Sequence, residues 1–231
     1  MIDKDRILYE DNHLIVINKR CGELSQADKS GDICLIDEVK AYLKKTYSKP
    51  GNVYLGLPHR LDRPTSGCLL FCKTEKALSR MNEAFRKGEV DKTYWAIVDR
   101  CPKKEEGRLV HFLVRECESN KSRAYEREVK GSQRAELVYR VLAKSDRYTL
   151  LSIELLTGRH HQIRSQLQAE GIHIKGDLKY GADRSNRDGG ICLHSRELSF
   201  IHPVRKERLV IKAPVPNDRL WEYFEKNAEQ E

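Results

Sequence analysis

The densest chemistry in the chain lies at His59-Arg60-Leu61-Asp62-Arg63-Pro64-Thr65-Ser66-Gly67. One carboxylate has an arginine close on either side, with Pro, Thr, Ser and Gly after it. That composition makes a tight loop presenting Asp62 among cations and small donors. Neighbouring positive charge favours a negatively charged carboxylate, which can act as nucleophile or as general base. An Asx turn with a surface salt bridge explains the same residues without any chemistry, and the stretch read alone leaves that alternative open. A second stretch, Thr157-Gly158-Arg159-His160-His161-Gln162-Ile163-Arg164, enters a helix. Ile163 and Leu167 mark its apolar face. Arg164 sits at the edge of that face and needs an anion there, a carboxylate or a phosphate, with Asp62 the natural candidate. Bracing a helix end is the plainer role. The third stretch, Lys92-Thr93-Tyr94-Trp95-Ala96-Ile97-Val98, puts Tyr94 on one strand face with Ala96 and Val98, where its polar tip wants a partner. A core tyrosine is the plainer reading.

These stretches need a scaffold, and 231 residues with 39% hydrophobic content can bury one large core or two small ones. Lys and Arg number 43 against 35 Asp and Glu, a net charge of +8. A basic surface attracts polyanions but does not by itself identify a nucleic-acid binder. The longest apolar runs, such as 14–17 and 68–72, fall far short of the ~20 residues a membrane-spanning helix needs. Met1-Ile2-Asp3-Lys4-Asp5 lacks the layout of a signal peptide, so a cytoplasmic protein is expected. Seven cysteines without a Cys-x-x-Cys pair read as reduced core thiols. The histidines form neither an HExxH motif nor a Cys/His cluster, and no metal site is expected.

Alternation predicts two strands over 7–18 with a turn at Asp11-Asn12, and helical spacing predicts a helix over 33–45. Lys49-Pro50-Gly51-Asn52 reads as a turn, and 68–72 as a short buried strand. Thr74 caps a helix that runs to Lys87 and ends at Gly88. Strands follow at 93–98 and at 109–114, where Val110, Phe112 and Val114 share a face. Residues 135–143 and 148–156 form a hairpin around 144–147. A short helix over 160–170 closes at Gly171, strands lie at 197–201 and 208–212, and a last helix spans about 218–226. The locally basic segment 119–134 reads equally as a mobile loop touching RNA or as a solvated edge hairpin. Many strands with interspersed helices argue for an α+β fold with a large, mainly antiparallel sheet.

The three chemical stretches also resemble a family. His59–Gly67, with Leu69 and Lys73, closely resembles the HRLDxxTSGxLxxAK signature of RluA-like RNA pseudouridine synthases, Cys72 replacing the usual Ala. Lys92–Val98 is similar to the family's KxYxAxV strand, and Thr157–Arg164 to its TGRxHQIR motif. Gly176-Asp177-Leu178-Lys179-Tyr180-Gly181 matches GDxxYG, Leu193-His194-Ser195 through His202-Pro203 resembles LHAxxLxFxHP, and 7–19 resembles the entry hairpin. The blocks keep family order from about residue 7 to 214. Departures occur at Asn18–Gly22, which lacks the usual Pro and small residue after Lys, at Ser165-Gln166 and at Ser195. They touch RNA contacts rather than the acid, tyrosine or arginine.

The resemblance implies one catalytic domain over 1–231, with a long bent mainly antiparallel sheet, flanking helices and a central catalytic cleft. It implies uridine isomerisation in tRNA or rRNA stem-loops, with no cofactor, no metal and no membrane contact. A monomer with no obligate protein partner is expected, and no S4-type RNA-binding domain, since the hairpin begins almost at Met1. Asp62, Tyr94 and Arg164 would be the catalytic set; Arg60, Arg63, Arg159 and His161 would contact RNA. Two rival readings remain on the page. A non-catalytic RNA-binding or ribosome-assembly factor does not require the full Asp, Tyr and Arg set. A phosphatase wants DxDx(T/V) where Arg63-Pro64 follows Asp62, and a glycosidase wants a second placed carboxylate.

Overall fold

The structure is a computed structural model that describes residues 2–28 and 31–228. The described residues form an α+β fold of ten strands and four α-helices. Registers are antiparallel between neighbours in the run Ile7–Glu10, Leu14–Lys19, Ser66–Cys72, in the pair Leu193–Ile201 and Arg208–Lys212, and in the run Val90–Val98, Thr149–Leu155, Gln133–Lys144, Glu106–Glu116, Lys121–Tyr125. The chain divides into two compact units: one runs to Asp91 and regains Ser195–Pro214, and the other comprises Lys92–His194 and the segment from Val215. The family resemblance implies a single catalytic domain, and the two units are described in turn.

In the first unit, β1 (Ile7–Glu10) and β2 (Leu14–Lys19) form the expected hairpin. The Asp11 carboxylate closes its turn by accepting from the backbone N–H groups of His13 and Leu14, both at 2.8 Å. β2 pairs with β3 (Ser66–Cys72), whose seven residues are all buried. Such an unbroken apolar run is what a strand covered on both faces requires. α1 (Leu35–Thr46) buries Leu35, Val39, Tyr42 and Leu43. α2 (Glu75–Lys87) starts and stops where its residues dictate: Thr74 accepts from the Ala77 N–H at 3.2 Å, and Gly88 ends it at φ 74°. Its Ala77 and Met81 pack with Val16, Leu70 and Cys72. The late strands β9 (Leu193–Ile201) and β10 (Arg208–Lys212) pair with each other and bring Leu198, Phe200 and Ile211 into the same core.

In the second unit, the strand order is β4 (Val90–Val98), β8 (Thr149–Leu155), β7 (Gln133–Lys144), β5 (Glu106–Glu116) and β6 (Lys121–Tyr125). β6 falls in the basic segment 119–134, so part of that segment is a terminal strand. On β5 the residues Val110, Phe112 and Val114 do share a face, but the buried positions are His111 and Leu113. The reason is α3 (Gln162–Ala169), whose Gln166 amide reaches the Leu109 carbonyl and His111 Nδ1, both at 3.2 Å. α4 (Arg219–Ala228) buries Trp221 and Phe224. No helix among the described residues is long and apolar enough to cross a membrane.

Candidate active site

Asp62 is half-buried in the first unit, ahead of β3. Its backbone opens a four-residue turn, with the Thr65 N–H donating to the Asp62 carbonyl at 3.0 Å. Three groups hold this turn from behind. The ammonium of Lys19, with no exposed surface, donates to the carbonyls of Thr65 (2.7 Å), Arg63 (3.0 Å) and Arg20 (3.1 Å). Ser25 Oγ donates to the Leu61 carbonyl at 2.9 Å, and the Gly22 N–H donates to the Arg63 carbonyl at 2.8 Å. Burial pushes the Lys19 amine down to about 8, against the opposing pull of Glu23, Cys21 and Asp62. The carbonyl cradle also favours the ammonium. The Thr65 hydroxyl is buried and has no hydrogen-bond partner among the described residues.

The flanking motif residues divide into anchors and exposed cations. His59 accepts from the Leu70 N–H at 3.0 Å and stacks on Phe85, tying the loop to β3 and α2. Gly67 has φ 110°, and a Cβ there would lie 2.3 Å from the Ser195 carbonyl oxygen, so only glycine fits. Arg60 and Arg63 are exposed; Arg63 pairs with Asp32 at 2.8 Å and donates through Nε to the Gly22 carbonyl.

In the second unit, Tyr94 lies on β4, buried, and pairs across to Ile153. Arg164 is buried in the first turn of α3. Its Nε and Nη2 donate to the two oxygens of buried Asp177 at 2.7 and 2.8 Å, a bidentate pair. The Tyr180 ring lies under the guanidinium at 4.8 Å. Sequence reasoning named Asp62 as the natural anion for Arg164 and did not single out Asp177, which holds it here in a bidentate pair, or Tyr180, although both stand in the Gly176–Gly181 motif. Lys19, Ser25 and Gln162 were missed too; of these, Lys19 and Gln162 stand in stretches already quoted.

The approach to α3 is built around Gln162. Its Oε1 accepts from the Thr157 hydroxyl at 2.8 Å and the Arg159 N–H at 2.9 Å, while its Nε2 donates to the Glu136 carbonyl. Arg159 is exposed, and its Nε donates to the Arg134 carbonyl. His161 is a buried residue in left-handed backbone, φ 51°. Its Nδ1 lies 2.8 Å from Tyr180 Oη. The Ser122 N–H also donates to that oxygen, at 2.7 Å. The His161 ring is neutral. Burial first, then the charge of Arg164, pushes it down to about 2.

Asp62, Arg60 and Arg63 thus belong to the first unit, and Tyr94, Arg159, His161 and Arg164 to the second. Chemically, the first offers a carboxylate on a rigid turn and the second a guanidinium held in a fixed plane by Asp177 over the Tyr180 ring.

Comparison with known proteins gives this arrangement its class. A family model for RNA pseudouridylate synthase matches residues 13–169. Ribosomal large subunit pseudouridine synthase C of Buchnera aphidicola subsp. Acyrthosiphon pisum is 33% identical over 221 residues, covering 93% of this chain and 68% of that protein. tRNA pseudouridine synthase C of Vibrio parahaemolyticus is 32% identical over 237 residues, covering 94% and 92%. The solved structure of human RNA pseudouridylate synthase domain containing 4 superposes with a TM-score of 0.78 at 25% identity, covering 97% of this chain and 93% of that one. The class is therefore an RNA-modifying isomerase. The chain belongs to the RNA pseudouridylate synthase family.

Proposed function

We propose that the protein isomerises specific uridines in hairpin loops of structured RNA, with the tRNA anticodon stem-loop ahead of a ribosomal hairpin. The observation that carries this reading is the Asp62 turn, braced from behind by Lys19, in a chain of this family. The N1–C1′ bond breaks, the uracil rotates, and C5 joins C1′; N1 ends with a proton and C5 loses one, so the atoms balance without a co-substrate. Asp62 starts the reaction either by attacking C1′ or by removing the C2′ proton, and both routes need a carboxylate. The base must leave its stack before any of this. Tyr94 stacks on the extruded uracil, and Arg164 supports the negative carboxylate. Arg60 takes the vacated place in the stack, while Arg63 and Arg159 meet phosphates. His161, neutral and buried, acts beside Arg164 rather than as a cationic phosphate grip. Both units are taken as one catalytic domain, a reading supported by the family match, which covers parts of each.

The substrate reading rests on physical grounds. Phosphate contacts supply grip but no sequence. Specific RNA recognition usually targets loops whose bases can be splayed out. Two similar proteins are named for a transfer RNA and for the large ribosomal subunit, which supports structured RNA of either kind. The test uses purified protein and isolated stem-loops carrying tritium at uridine C5. Wild type is expected to release tritium, with binding that weakens steeply as salt rises. Asp62→Asn is expected to bind the RNA, keep its fold and release none. Normal turnover by Asp62→Asn overturns the role of that residue. Activity only on an assembled ribosomal particle overturns the stem-loop reading.

A further inference from the structure

Tyr180 is almost fully buried, yet it touches every part of the Arg164 surroundings resolved within the second unit. Its ring supports the guanidinium from below at 4.8 Å. Its hydroxyl has a partner on either side, accepting from the Ser122 N–H at 2.7 Å and lying 2.8 Å from His161 Nδ1. Ser122 is not a core residue of this helix. It stands in β6, the terminal strand, whose described register pairs it with β5. Its hydroxyl donates to the His160 carbonyl at 2.7 Å and meets His160 Nδ1 at 2.9 Å. One hydroxyl has one proton, so with that proton on the carbonyl, His160 Nδ1 is the donor to Ser122 Oγ. The rings of His160 and His161 stack 3.8 Å apart, the first bonded to Ser122 and the second to Tyr180.

The charge balance explains why this matters. A cationic His161 would repel the adjacent guanidinium, and burial together with that charge keeps the ring neutral. The phenol beside it is held by the Ser122 amide. β6 thus reaches, through one hydroxyl, the ring that lies under Arg164. The strand carries Lys121 and Arg123 on either side of Ser122, side chains suited to RNA phosphates.

We infer that Tyr180 is a positioning residue for Arg164, and that it couples the seating of β6 on RNA to the placement of the guanidinium. The inference rests on the reading above, in which Arg164 serves the isomerisation. An RNA strand that grips Lys121 and Arg123 holds Ser122 in place, and the Ser122–Tyr180–His161 chain passes that constraint to α3. The role is one of positioning, because Tyr180 reaches the reaction only through Arg164 and His161.

The experiment compares steady-state kinetics on a tritiated RNA substrate for wild type, Tyr180→Phe, the charge-reversed strand Lys121→Glu/Arg123→Glu, and the combination. Phe keeps the ring under Arg164 and removes only the hydroxyl. Tyr180→Phe is expected to lower kcat about ten-fold with KM changed less than two-fold. The charge-reversed strand is expected to raise KM and also to lower kcat. In the combination, the charge reversal should raise KM but add no further loss in kcat, because the coupling is already cut. An unchanged kcat for Tyr180→Phe overturns the inference, even if its thermal midpoint falls, because a mere brace would behave so. Multiplicative kcat losses in the combination overturn the coupling to β6. A wild type inactive on every RNA overturns the functional reading itself, and this inference with it.

Discussion

The Asp177 carboxylate neutralises the buried guanidinium of Arg164 with both oxygens. Asp177→Asn keeps the shape but turns one acceptor into an amide that faces the cation. Removing one partner of a buried pair costs about 3–5 kcal/mol. At ~2–4 °C per kcal/mol for a chain of this size, the thermal midpoint is expected to fall by roughly 10 °C. Thermal denaturation followed by circular dichroism reads this directly, and a midpoint within a few degrees of wild type would show the pair to be dispensable for the fold. The residue scale also shows where sequence reasoning stopped. Helical spacing placed Arg164 at the edge of an apolar face and required an anion for it. It could not place Asp177, thirteen positions on, because an irregular loop delivers it and loops have no period. Lys19 escaped notice for a related reason: a lysine at the end of a strand reads as solvated, and only tertiary structure reveals a cradle of backbone carbonyls.

Elements were more legible than their partners. The first hairpin, α2 with both of its caps, and the turn at Gly171 follow from local chemistry, and the structure has them where the spacing put them. The 109–114 alternation was real, but a period of two does not say which face is inward, and the polar pair His111 and Gln166 decided it. β6 was hidden because its charged residues mark an edge strand as readily as a loop. The glycine at the second position of β3 gives the sharpest prediction at this scale. Gly67→Ala would drive a methyl group into the Ser195 backbone and force alanine into positive φ. Neither the strand nor its neighbour can yield without breaking the buried run, so the loss is expected to exceed about 4 kcal/mol, among the largest single-site effects. Urea denaturation is the measurement, and a midpoint shift below half a molar would contradict the geometry.

For the whole molecule, the titration of buried groups sets the response to alkali. Burial pushes the thiols of Cys68 and Cys72 up to about 12, and that of Cys192 to about 11. Free thiols titrate near 8.5. Above that pH the unfolded chain sheds protons that the folded chain retains, so stability falls as pH rises toward the folded values. Lys19 works in the opposite direction. Its folded amine, near 8, loses its proton before the unfolded one near 10.5, so its burial penalty is relieved between those values. Beyond 10.5 that relief is complete, and the buried thiols drive the decline together with the phenols of Tyr9 and Tyr47, which are pushed up to about 12. Urea midpoints are therefore expected to drop most steeply between about pH 10.5 and 12. Replacing Cys68 and Cys72 with alanine should flatten that decline; a decline just as steep would exclude the thiols as its cause.

The return of Ser195–Pro214 to the first unit has a consequence for how the chain is made. Leu198, Phe200 and Ile211 complete the core that Val16 and Leu70 begin, and the Ser195 backbone is the surface against which Gly67 fits. During synthesis on the ribosome, β1 to β3 emerge with their apolar faces lacking those partners. They must wait while Lys92–His194, the larger part of the second unit, leaves the exit tunnel. The half carrying Asp62 is thus translated first but cannot close its core until β9 and β10 have emerged. A nascent chain stalled between β3 and β9 carries the acid and its Lys19 brace, but not the Ser195 backbone against which Gly67 fits.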